Sequence, residues 1–85
     1  MSWIMVIVFR IRDGRRNQNL GKYEGTLVRT DKGGEHVFFS IPIAEADKHK
    51  FKWNSYVTVT KWGPGRTERN LKDKIALSLK PAEYK

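Results

Sequence analysis

Hydrophobic and polar positions alternate most cleanly between Glu35 and Trp62, EHVFFSIPIAEADKHKFKWNSYVTVTKW. In the first run Val37, Phe39, Ile41 and Ile43 alternate with His36, Phe38, Ser40 and Pro42. In the second, Val57 and Val59 alternate with Tyr56, Thr58 and Thr60. Period 2 marks a strand with one buried face, so strands are predicted over 36–43 and 56–62. Pro42 has no N–H for a ladder and marks a strand end or an edge. The intervening segment, 44–51, is long enough for about two helical turns. Its sparse apolar positions predict a short helix packed through Phe51.

The rest of the chain adds strands and basic loops to this unit. Residues 3–12 read as a first strand. Trp3, Met5, Ile7, Phe9 and Ile11 share one face; Ile4, Val6 and Val8 give way to Arg10 and Arg12 on the other. Such a strand is central or strongly bent. Asp13-Gly14 is predicted to be a hairpin turn, because both positions tolerate positive φ. Arg15 to Asn19 then form a basic loop or an extension of that hairpin. Residues 22–30 predict a second strand, with Tyr23 and Leu27 inward and Gly25 marking a bulge or bend. Asp31 to Gly34 is a turn. Gly63-Pro64-Gly65 ends the fourth strand, and RTERNLKDK is a basic loop. A fifth strand spans 74–80, with Ile75, Leu77 and Leu79 inward and Lys74, Ala76, Ser78 and Lys80 outward. Pro81 stops it. The order is β-β-β-α-β-β in a single domain, 1–85, and a mostly β fold.

Composition narrows the class. At 39% hydrophobic and 12% aromatic the chain has enough apolar content for a small core. Without cysteine there is no disulfide framework and no thiolate metal site. The opening apolar run, Trp3 to Phe9, is far shorter than the about 20 residues of a membrane span, and it lacks a basic leader region. The expected setting is therefore cytoplasmic (nucleoid or host cytoplasm for a viral protein), with no membrane partner.

Charge changes the picture most. The net charge is +8, which points to a polyanion partner, most often nucleic acid. From Phe9 to Lys32 seven basic and three acidic residues give +4, and from Lys61 to Lys74 five basic and two acidic residues give +3. Concentration in two segments favours a binding face over a generally solvated surface. The phosphate-binding candidates are Arg10, Arg12, Arg15, Arg16, Lys22 and Arg29 in the first segment. Those of the second are Lys61, Arg66, Arg69, Lys72 and Lys74. Single-strand binding also needs aromatic platforms for bases. Phe38, Tyr56 and Trp62 fall opposite the inward residues of their strands and are the candidates, whereas Trp3 and Trp53 are expected to pack in the core or under the helix.

The catalytic inventory is thin. His36 follows Glu35, but adjacent strand residues point to opposite faces. His49 and Asp47 have neither a metal-ligand spacing nor a third ligand. No nucleophile elbow, phosphate-binding glycine loop or HExxH motif occurs. The chain reads as a non-enzymatic binding protein that needs no cofactor.

The element order resembles that of OB-fold nucleic-acid-binding proteins, such as small phage single-strand DNA-binding proteins and the S1 and initiation-factor-one types. The resemblance covers the whole chain. It implies a five-stranded barrel whose ligand crosses strands 2 and 3, between the 1–2 and 4–5 loops. Here those loops are DGRRNQNLGK and GPGRTERNLKDK, the segments that hold the charge. The implied activity is sequence-tolerant binding of single-stranded DNA or RNA. A second, local resemblance is to AbrB-like swapped-hairpin regulators. VRTDKGGEHVFFSIP is similar to that family's strand, glycine turn and strand ending in Ile-Pro. Phe51, Asn54-Ser55, Val57 and Val59 follow at similar offsets, with Asn54-Ser55 in place of Gly-Asp. That resemblance covers 28–80 and implies an obligate homodimer contacting duplex DNA through residues such as Arg29 and Lys32. A third reading is a small protein–protein module that docks a nucleic-acid machine.

Overall fold

The computed structural model describes residues 7–31, 35–64 and 74–83. Five strands and one helix follow in the order β1 (Phe9–Asn17), β2 (Lys22–Arg29), β3 (His36–Pro42), α1 (Ile43–His49), β4 (Tyr56–Pro64) and β5 (Lys74–Pro81). The strands close into a barrel in the order β1-β2-β3-β5-β4. All neighbours are antiparallel except β3 and β5, which meet in parallel where Phe39 faces Ala76. This is a small OB-like barrel closed by a single chain.

Alternation builds the interior. Phe39 and Ile41 of β3, Leu27 of β2, Ile11 of β1 and Val57 of β4 are the largest fully buried side chains. Ala46 of α1 closes one end, and Val37, Ile43, Phe51 and Val59 pack around this centre. Phe51 thus packs the helix end as its position predicts. The helix is stopped by Lys50 in the left-handed region, at φ 55. Pro42, opposite Lys22 in the ladder, ends β3 and precedes the first helical residue.

Three departures from the sequence expectations have local causes. Asp13-Gly14 is not a turn. β1 runs on to Asn17, and the hairpin turns at Gln18 to Gly21. There Gly21 takes φ +66, and the Asn17 side chain accepts from the Leu20 N–H. The Asp13 carboxylate accepts from both the Thr26 N–H and its hydroxyl across the ladder, which commits the residue to a strand. The irregularity expected at Gly25 sits instead in β1. Ile11 faces Leu27 and Asp13 faces Thr26, so Arg12 is the extra residue of a bulge. Gly25 serves the close approach that results, because a Cβ there would overlap the Asp13 carbonyl.

The third departure lies in β4 and β5. Val59 faces Leu79, Lys61 faces Ser78 and Trp62 faces Ala76, so the ladder slips twice. Ala76, expected outward, is fully buried, while Ile75 and Leu77 are half-buried. β4 also continues through Gly63 and Pro64, where the sequence places the end of the strand. No helix among the described residues is long and apolar enough to cross a membrane.

Candidate nucleic-acid interface

Residues directly opposite in an antiparallel ladder share a face, so the register defines the outer surface of β1, β2 and β3. On β2 it consists of Lys22, Glu24, Thr26 and Val28, since Tyr23 and Leu27 are buried. On β3 the matching residues are Pro42, Ser40, Phe38 and His36. On β1 they are Asn17, Arg15, Asp13 and Arg10, with Arg12 added by the bulge. One transverse row reads His36, Val28, Arg10 and Tyr56, because Arg10 also faces Tyr56 of β4. Phe38 stands beside this row, opposite Thr26 and 45% exposed.

The bulge has a direct effect on the site. Without it, Arg12 and Asp13 would point to opposite faces; with it, both point out. The Arg12 guanidinium lies 3.2 Å from His36 Nε2. A guanidinium only donates, so Nε2 is the acceptor in a hydrogen bond here. The contact joins β1 to β3 over Val28, next to Phe38. Arg10 donates to Asn54 Oδ1 at 2.8 Å, which fixes the guanidinium against the α1–β4 turn. An aromatic ring, an imidazole and two held guanidinium groups therefore share one open sheet surface.

The hairpin half of the surface is less basic. Arg15 lies opposite Glu24, and Lys22 opposite Asn17. Glu24 accepts from Asn17 Nδ2 and from the Ser40 hydroxyl. Asp13 is held by Thr26, as above. Arg16 faces the inward Tyr23 and donates to Asp47 of α1 through two nitrogens, at 2.7 and 3.1 Å. That hydrogen bond and the opposite charge hold the Asp47 carboxyl below its ordinary range and raise the guanidinium further. Arg29 is only 17% exposed and lies between Asp31 and Glu35, at 2.7 and 3.6 Å. Its hydrogen bond to Asp31 raises it too. Arg16 and Arg29 are thus paired with carboxylates of the same chain that are about half exposed.

The remaining candidates are elsewhere. Lys61 and Lys74 are exposed on β4 and β5. Trp62, expected on the outer face, is set opposite the buried Ala76 by the slipped ladder. It meets Phe9 edge-on at 6.2 Å and lines a groove with Ile7, Thr58 and Lys80, 40% exposed. Arg66, Arg69 and Lys72, with Lys32 and Trp3, lie outside the described residues.

Trp53, expected to pack, is 67% exposed. The sequence carries no periodic signal at this position, and an aromatic just after a helix reads as packing. His49 stands 3.6 Å from Glu45 and stacks near Phe51, while Asp47 is taken by Arg16. Among the described residues no group of three or more His, Asp or Glu could hold a metal ion.

No family model, curated protein or solved structure matches the chain. The fold defines the class, a small OB-like barrel, and the site is read from its own residues.

Proposed function

We propose that the protein binds single-stranded DNA or RNA, without catalysing a reaction, across the outer face of β1, β2 and β3. The observation that carries this reading is the register that sets exposed Phe38 beside the Arg12–His36 contact and the Arg10 row. Stacking on one such ring is worth roughly 1–3 kcal/mol per base and tolerates any base. Arg10, Arg12 and Arg15 neutralise phosphates, with release of condensed counterions. The net charge of +8 supports the same partner.

A titration of the isotope-labelled protein with a short oligonucleotide tests the location. Amide shifts concentrated at Arg10, Arg12, Thr26, His36 and Phe38 are expected. Shifts confined to β4 and β5 would place the ligand elsewhere.

A further inference from the structure

The α1–β4 turn is a rigid presentation of an exposed tryptophan. Ser55 N–H donates to the Lys52 carbonyl at 3.0 Å, closing a turn with Trp53 and Asn54 at its centre. Asn54 takes φ 71, the conformation a type II turn needs at that position. The Lys52 N–H donates back to Ser55 Oγ at 2.9 Å. The turn is then fastened to β1 by three further bonds. Asn54 N–H donates to the Ile11 carbonyl at 2.9 Å, Ile11 N–H to the Ser55 carbonyl at 2.9 Å, and Arg10 to Asn54 Oδ1.

This geometry keeps Trp53 out of the core at the apex of a turn that has little freedom to move. Its surroundings are cationic. Lys48, Lys50 and Lys52 are exposed, Asp47 is paired with Arg16, and Glu45 lies 3.6 Å from His49. The turn adjoins the sheet row where Arg10 faces Tyr56. An exposed indole next to the exposed Lys52, adjoining a sheet row that carries Arg10, complements a base and its flanking phosphates.

We infer that Trp53 and Lys52 form a second stacking subsite, which extends the bound single strand past β1 and beyond the β2–β3 surface. The inference rests on the proposed function, and its test separates the two. Affinities are measured by anisotropy for a short oligonucleotide of roughly 4 nucleotides and a longer one of roughly 12, both within the range of such barrels. Trp53→Ala weakens the longer strand about tenfold and leaves the shorter one unchanged, while Trp53→Phe retains most of the affinity. Lys52→Glu, which alters no packed side chain, lowers the salt dependence for the longer strand alone.

Equal affinity of wild type and Trp53→Ala for the longer strand overturns the subsite; if Phe38→Ala still weakens both strands, the sheet reading stands. Failure of the wild type to bind either strand removes the sheet reading and the subsite together. A wild-type dimer that Trp53→Ala converts to monomer, with strand affinity unchanged, makes this turn a self-contact and overturns the subsite.

Discussion

Arg16 and Asp47 are 31 residues apart and meet through two hydrogen bonds, at 2.7 and 3.1 Å, joining the β1–β2 hairpin to α1. The Gly21 carbonyl, which accepts from the Ile43 N–H, ties the hairpin tip to the same helix. Asp47 titrates below its ordinary value when folded because of the bond from Arg16 and its charge. A depressed folded value contributes stability that is present above the unfolded pKa and lost as pH falls through the folded one. Asp47→Ala should therefore melt below wild type at neutral pH and low salt, and the gap should begin to narrow below about pH 4 and close below the depressed folded value. Because the pair is exposed, added salt should narrow the gap as well. Thermal melts across pH and salt check both, and a gap that persists undiminished at low pH would contradict the assignment.

The two adjacent arginines should separate in function. Arg15 stands on the outer sheet face, whereas Arg16 is bound to α1. Arg15→Ala should weaken oligonucleotide binding across sequences and lower the salt slope by about one phosphate contact. Arg16→Ala should act mainly on thermal stability. Anisotropy against salt, run beside thermal melts of both variants, reads the difference.

Gly25→Ala should destabilise the barrel, because the new methyl would overlap the Asp13 carbonyl, which is backbone and held in the ladder. The expected loss is about 1–3 kcal/mol, as for overpacking elsewhere. Urea unfolding should show a lower midpoint with an unchanged slope.

Thr58 offers the opposite change. It is buried in β4, and its hydroxyl has no hydrogen-bond partner among the described residues. Thr58→Val replaces an unsatisfied polar atom with a methyl while keeping the β-branch that a strand favours. Stability should rise by about 1 kcal/mol in urea unfolding.

Much of the barrel is visible in the chain's alternation. The inward sets Val37-Phe39-Ile41 and Tyr23-Leu27 fall where period 2 puts them, and strand order with one helix after the third strand follows from those runs. What alternation does not carry is the effect of a bulge. One extra residue at Arg12 keeps Asp13-Gly14 in a strand, and the slipped β4–β5 ladder buries Ala76 and sets Trp62, still 40% exposed, opposite it. The site is partly legible for a related reason. Phe38, Arg10 and Arg12 are placed by strand parity alone. Local sequence shows that Arg16 is basic but not that Asp47 will neutralise it from another element. Trp53 owes its exposure to bonds between its turn and β1, which no nearby residue announces.

The most direct test of the account is fluorescence anisotropy of one labelled oligonucleotide, single-stranded and then duplexed, at low and moderate salt, with wild type and Phe38→Ala. The account predicts preference for the single strand and weakening by salt. It also predicts a loss of roughly ten- to a hundredfold in Phe38→Ala, the size of one stacked base. Preference for the duplex, or no binding to either form at low salt, would contradict it.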